Sequence, residues 1–458
     1  MKVSSWGSPS WTRLLVSTVL VGGRCSQAIQ LNLNDPGSIK SAAKTIAAGM
    51  WTYYNNTEVP GNLPQPYYWW EAGAMFGILI DYWFYTGDTT YNDAVSQGLQ
   101  FQVGPNSDFM PPNQTKTEGN DDQAFWAMAA LSAAENKFPN PPDNQPQWLA
   151  LAQAVFNEQA SRWDNQTCGG GLRWQIYTFN NGYNYKNSIS NGCFFNIASR
   201  LARYTGNQTY ALWAETMWDW TGAVGLMDQN YKFYDGTDTT LNCSQVNHIQ
   251  WTYSAGTYLL GAANMYNLTN GSAIWQERTM GILNATSVFF TTTPPNVMYE
   301  VACEPNGKCD VDQRSFKAYL SRWMAATMQL APFTAEFIMP KLQASANAAA
   351  QQCTGGANQQ TCGIKWNLGT NDGSPGGVGE QMSALSVIQA NLIQAVTAPV
   401  TNSSGGTSKG NPAAGGTIRG TPTGLETQPV TTGDRVGAGF LTTFILMGVI
   451  GGAWWMVV

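Results

Sequence analysis

Apolar residues along most of the chain recur every three to four positions. After Asp35-Pro36, a capping side chain followed by a residue that needs no backbone donor, Ile39, Ala43, Ile46 and Met50 fall on one helical face. The same spacing predicts helices near 69–86, 88–102, 120–137, 145–163, 187–205 and 207–220. Others are expected near 246–267, 270–288, 312–331, 333–350 and 378–396, about twelve in all. Few runs alternate polar and apolar residues as strands do.

A short self-similarity punctuates these helices. Tyr85-Thr86-Gly87-Asp88-Thr89-Thr90-Tyr91 recurs as Tyr204-Thr205-Gly206-Asn207-Gln208-Thr209-Tyr210, and more loosely from Tyr266 to Ser272. In each, Gly can take the left-handed conformation that ends a helix, and Asp or Asn can cap the next. Six such hairpins would close an all-α (α/α)6 barrel of about twelve helices; the alternative, a solenoid, usually has a more regular period.

The two ends of the chain read as processing signals. Lys2 and Arg13 precede the apolar stretch from Leu14 to Gly22, and Ser26-Gln27-Ala28 offers small residues for cleavage, so 1–28 is expected to be a signal peptide. The body runs from 29 to 398. A Gly/Ser/Thr/Pro-rich stretch over 399–435 is expected to be a flexible, O-glycosylated stalk with a GPI-attachment region. Residues 436–458 form an apolar tail with no basic flank after it, the pattern of a GPI signal rather than a stop-transfer helix.

Nine Asn-x-Ser/Thr sequons, at Asn55, Asn113, Asn165, Asn207, Asn242, Asn267, Asn270, Asn284 and Asn402, fit passage through the secretory pathway. Seven cysteines remain once Cys25 leaves with the signal. Cys303 with Cys309 and Cys353 with Cys362 can close small loops, which leaves Cys168, Cys193 and Cys243 for one bridge and one free thiol. No CxxC pair supports a zinc site. The net charge of -6 and the lack of a basic cluster exclude nucleic-acid binding.

With a single histidine, His248, and no Gly-x-Ser-x-Gly elbow, triad hydrolases are disfavoured. No phosphate-binding or dinucleotide fingerprint is present, and neither metal nor cofactor is expected. Carboxylates remain. Asn120-Asp121-Asp122-Gln123-Ala124-Phe125-Trp126 opens a helix. One Asp there is ordinary capping; two, beside aromatic residues, have a use in glycoside cleavage. A retaining enzyme needs two carboxyl groups roughly 5–5.5 Å apart.

That segment resembles the catalytic signature of glycoside hydrolase family 76, the endo-α-1,6-mannanases, and most of all its fungal GPI-anchored cell-wall branch. Tyr68-Trp69-Trp70-Glu71-Ala72-Gly73 and Cys168-Gly169-Gly170-Gly171-Leu172-Arg173-Trp174 match family motifs. Lys186-Asn187-Ser188-Ile189-Ser190-Asn191-Gly192, Trp251-Thr252-Tyr253-Ser254-Ala255-Gly256 and Phe316-Lys317 continue the order. The resemblance implies an (α/α)6 barrel and retaining chemistry, with Asp121 as nucleophile and Asp122 as acid/base. It also implies an α-mannoside or GPI-anchor glycan as substrate, a β-glucan acceptor, and residence at the outer plasma membrane and in the wall. Trp69, Trp70, Glu71, Asn120, Gln123, Gly170, Gly171, Asn187, Asn191, Trp251 and Tyr253 are candidate substrate contacts. A glycan-binding wall protein without turnover, a structural wall protein and a purely hydrolytic α-1,6-mannanase are the rival readings; the intact Asp pair speaks against the first two, and the sequence does not separate hydrolysis from transfer.

Overall fold

The structure, a computed structural model, describes residues 29–54 and 59–416 together with positions 442 and 447. The expected signal peptide, nearly all of the expected tail, Cys25 and Asn55 lie outside the described residues.

Twelve α-helices carry the described residues: α1 Pro36–Trp51, α2 Trp69–Thr86, α3 Asn92–Phe101, α4 Asn120–Glu135, α5 Trp148–Ser161, α6 Ser188–Thr205, α7 Gln208–Ala223, α8 Thr252–Leu268, α9 Ala273–Ala285, α10 Phe316–Leu330, α11 Ala335–Gln352 and α12 Val378–Gln389. The even-numbered helices form a ring in which α2 packs on α4, α4 on α6, α6 on α8, α8 on α10, α10 on α12, and α12 again on α2. The odd-numbered helices pack outside them. Residue distribution explains the division. Helix α2 is buried on nearly every side, from Trp69 to Tyr82, whereas α3 buries only Val95, Gly98 and Leu99. A helix that is apolar all round must sit inside, and one with a single apolar stripe closes the outside. The result is the expected (α/α)6 barrel.

Of the three repeated turns only the second caps the next helix as expected: Tyr91 precedes α3 and Ser272 precedes α9, neither with a side-chain cap, and Asp88 accepts from Thr90 N–H at 3.0 Å within its own turn. Gly87 and Gly206 end α2 and α6 in the left-handed region, at φ of 78° and 73°, and Asn207 caps α7 by accepting from Thr209 N–H. All these turns lie at one end of the barrel. At the other end, where the inner helices begin, the connections are longer. They include a three-stranded sheet of β1 Tyr185–Asn187, β2 Gly236–Asp238 and β3 Val246–Asn247, and a hairpin of β4 Phe290–Thr292 and β5 Pro295–Met298. Helix α8 therefore starts at Thr252, later than periodicity predicts, because 246–247 pair as β3.

One expectation is corrected. Residues 400–416 are not a free stalk but a strap on the body. Ser408 is buried and its Oγ accepts from Leu149 N–H at 2.9 Å; Asn157 Nδ2 donates to the carbonyls of Pro412 and Ala414 at 3.0 and 2.8 Å. Composition marks where a core ends but cannot exclude docking through backbone groups.

Disulfides join Cys168 to Cys243, Cys303 to Cys309 and Cys353 to Cys362, and Cys193 is a buried free thiol. All eight sequon asparagines among the described residues are exposed. His248 is exposed, its ring edge-on to Tyr234. In a chain that begins at Ile29, thiol titration should detect no reactive thiol in the native protein and one per chain after unfolding without reductant. Three or more after unfolding would contradict the pairing.

Candidate active site

Helix α4 begins where Gly119 leaves the extended conformation. Asn120 N–H donates to Trp174 O at 2.9 Å, and Asn120 Nδ2 donates to Arg173 O at 2.8 Å. These bonds dock the glycine-rich loop on the helix start and bring Trp174 over it. Asp122, in the first turn, reaches back so that its Oδ2 accepts from Gly119 N–H at 2.7 Å. An ideal β-carbon on Gly119 would lie 2.6 Å from Asp121 Oδ1 and 3.2 Å from Asp122 Oδ2, so those oxygens are less than about 6 Å apart, a limit that admits the retaining spacing of roughly 5–5.5 Å and excludes the wider inverting one of roughly 6.5–9.5 Å for these two atoms. No side chain fits at Gly119 while both carboxyls hold this position.

The pair lies at the bottom of a two-lobed groove formed by the starts of the inner helices. The smaller lobe, about 190 Å³, is lined by Asp121, Asn187, Asp235, Tyr253 and Phe316, among others. The larger, about 350 Å³, is lined by Tyr68, Trp69, Glu118, Gln175, Asn180 and Asn181, among others. Trp70, Asp122, Trp174 and Asp312 border both. Asp122 thus stands at the junction of the lobes, and Asp121 faces the smaller one alone.

Burial pushes the Asp121 carboxyl up to about 7, against the pull of the 121 and 122 backbone amides and the Ser190 and Trp174 side chains. Burial, with the neighbouring Asp121 charge, drives Asp122 well above the usual carboxylate range. The helix start and Gly119 N–H favour ionisation but are outweighed. Of the two, Asp122 is therefore the carboxyl that holds a proton more tightly, and Asp121 the one that ionises first. Asp312 is also raised, to about 6, by burial and the Asp310 charge, while Trp70 Nε1 donates to it at 3.1 Å. Asp235 accepts from Tyr185 Oη at 2.6 Å and Trp251 Nε1 at 2.9 Å. Among its lining residues the smaller lobe has four carboxyls and no Lys or Arg. Aromatic rings supply the rest of the wall: Tyr253 stacks on Phe316 with centroids 3.7 Å apart.

The sequence candidates divide cleanly. Asp121, Asp122, Trp69, Trp70, Asn187 and Tyr253 line the groove. The others support it. Glu71 is buried and accepts from Tyr68 N–H at 2.9 Å; burial and the Asp312 charge push it up to about 9. Gln123 donates to Glu158 Oε2 at 2.8 Å and accepts from Arg162 Nη2 at 2.5 Å. Asn191 pairs with both backbone groups of Leu172. Gly170 and Gly171, at φ of 136° and 95°, give room to Trp163 and Trp220 instead of to a ligand. Trp251 orients Asp235 from behind. Asp235, Asp312, Glu118 and Tyr185 escape sequence reading, since single acids between helices and a tyrosine in the short strand β1 carry no periodic or spacing signal. Trp174 stood in a quoted motif without a role.

A carboxylate pair in an aromatic groove at one end of a six-hairpin barrel defines a carbohydrate-cleaving (α/α)6 enzyme. The chain belongs to glycosyl hydrolase family 76, whose description matches residues 38–403. It is 47% identical over 444 residues to the mannan endo-1,6-alpha-mannosidase DCW1 of Saccharomyces cerevisiae, covering 96% of this chain and 97% of the relative. To mannan endo-1,6-alpha-mannosidase DFG5 of the same yeast it is 45% identical, over 94% and 95% of the two chains. The crystal structure of Dfg5 from Chaetomium thermophilum in complex with glucosamine matches at a TM-score of 0.81 and 46% identity, over 85% of this chain and 98% of that one. The GH76A alpha-1,6-mannanase from Salegentibacter sp. HEL1_6 shares the fold at a TM-score of 0.63 and 19% identity, over 77% and 98% of the chains.

The raised Asp121 carboxyl has a cost that its amide does not. Because its folded value, about 7, exceeds the unfolded value of about 3.9, the folded state binds the proton more tightly, and stability falls as pH rises between the two. Asp121→Asn should therefore melt above the wild type at pH 7, with the gap closing toward pH 4. Thermal melts across that range check this; a gap that widens toward acid would contradict the burial argument.

Proposed function

We propose that the protein is a retaining α-mannoside-active glycosidase or transglycosidase of the mannan endo-1,6-α-mannosidase type, with Asp121 as nucleophile and Asp122 as acid/base. The observation that carries this is the asymmetry of the pair. Asp121 faces only the smaller lobe, where the anomeric carbon of the cleaved sugar would lie. Asp122 stands between the lobes, beside the oxygen of the bond to be broken. Its Oδ2 is engaged by Gly119 N–H, which leaves Oδ1 to carry the proton.

In the first step Asp121 attacks the anomeric carbon and forms a glycosyl ester, while Asp122 protonates the leaving oxygen. In the second, Asp122 takes a proton from water or a sugar hydroxyl, which attacks the ester and frees Asp121. Hydrolysis and transfer share the ester and differ only in the incoming hydroxyl. The aromatic wall of the larger lobe, Tyr68, Trp69, Trp70 and Trp174, suits a sugar ring as that second partner. The substrate we propose is the mannose-containing glycan of a GPI anchor, transferred to wall β-glucan. The enzyme would be secreted and held at the outer plasma membrane by a GPI anchor of its own. Exposed sequons and disulfides support passage through the secretory pathway.

Asp121→Asn should abolish turnover in a folded protein, because an amide cannot form the ester. Asp122→Asn should lose activity on ordinary mannosides by roughly 10²–10⁴-fold yet retain glycosylation of a substrate whose leaving group needs no proton. A folded Asp121→Asn protein with full turnover would sink the assignment. Product analysis of a defined α-1,6-mannoside or GPI glycan, with and without a glucan acceptor, separates transfer from hydrolysis. An acceptor that never enters the product would leave a hydrolase only.

A further inference from the structure

The strap over 400–416 connects the two ends of the barrel. It starts at the end opposite the groove, where Val400 N–H donates to Glu135 O at the close of α4 and Asn402 N–H donates to Tyr204 O near the close of α6. It then climbs the outside of α5. Ser408 meets Leu149 at the foot of that helix, Asn411 N–H donates to Gln153 Oε1 at 2.6 Å, and Asn157 holds the Pro412 and Ala414 carbonyls. Gly416 N–H donates to Glu158 Oε1 at 3.2 Å, three residues from the end of α5. From Leu149 to Glu158 the climb is about 14 Å at 1.5 Å per residue. At Gly416 the nearest side chain is Asn106, in the loop whose later residues, 116–118, wall the larger lobe. The described strap thus ends at the groove end of the barrel.

We infer that the strap turns the groove toward the membrane that holds the anchor, so that the substrate is a glycan carried on that same surface and not free mannan. This rests on the anchored reading proposed above, and on attachment in the later part, 417–433, of the 403–433 stretch where the sequence expects it. Covalent geometry limits those residues to about 60 Å of reach, whatever their conformation, at roughly 3.5 Å each. Were the strap undocked, the tether would start beside Pro399, at the far end, and be about twice as long. Docking moves its root to the groove and halves its length.

The test uses full-length anchored protein on phosphatidylcholine vesicles that carry a headgroup quencher. A dye is attached at Thr178→Cys, in the exposed loop beside the groove, or at Thr89→Cys, in a turn at the opposite end. Quenching should be several-fold stronger at 178. Equal quenching, or stronger quenching at 89, overturns the inference. Ser408→Ala with Gln153→Ala and Asn157→Ala removes the side-chain bonds that hold 408–414 to α5 and should erase the difference while turnover of a soluble α-1,6-mannoside is unchanged; a difference that persists overturns the strap's part. The same triple variant should process a GPI glycan on its own vesicle several-fold more slowly. Phosphatidylinositol-specific phospholipase treatment reports on the premise separately: protein that stays on the vesicle is not GPI-anchored, and the anchored reading itself then fails.

Discussion

Asp121 and Asp122 are consecutive residues on the floor of the groove, Asp121 buried and Asp122 half-buried. At less than about 6 Å, two negative charges there repel by on the order of 3 kcal/mol at an effective dielectric of about 20. The helix start, with its free N–H groups, offsets part of that cost but not the burial. One proton on the pair removes the repulsion. The inequality between the two carboxyls, with Asp121 the first to ionise, follows from confinement before any substrate arrives, and two-step glycoside cleavage requires such an inequality.

Confinement needs rigid surroundings. Behind the pair, α4 is clamped to α5 through Gln123, Glu158 and Arg162, all buried. Removing one member of such a network leaves a buried polar group unpaired, which costs more than the bond contributes. Above the pair, the disulfide from Cys168 to Cys243 and the salt bridges from Arg173 and Lys186 to Asp164 hold the glycine-rich loop, and through it Trp174. The far wall has its own support. Glu300 accepts from Thr252 N–H and Oγ1, and Lys317 pairs with Glu304 at 2.8 Å; the next residues along or back, Tyr253 and Phe316, form the stacked platform of the smaller lobe. Trp174 and the Tyr253–Phe316 platform are thus held from outside the groove.

The sequence by itself determined the twelve helices, their hairpin turns and the position of the carboxylate pair, because these depend on residues close together along the chain. Periodicity of three to four, a Gly that ends one helix and an Asn that caps the next are local facts. Buried character was also legible: Trp69 to Tyr82 has no polar face to turn outward, so α2 had to be an inner helix. Which candidates meet the groove was not. Asn187 lines it while Asn191, one turn on, is consumed by the Leu172 backbone; Trp70 lines it while Glu71 caps its own helix. Residues three or four apart share a helical face, but what that face meets is decided by other helices. Asp235 and Asp312 stand 114 and 191 positions after Asp121 and enter the site only because the ring of inner helices closes. The docked strap is likewise tertiary: its Gly- and Pro-rich composition permits a free linker, and only the carbonyl acceptors it offers to Asn157 on a helix more than two hundred residues earlier hold it to the body.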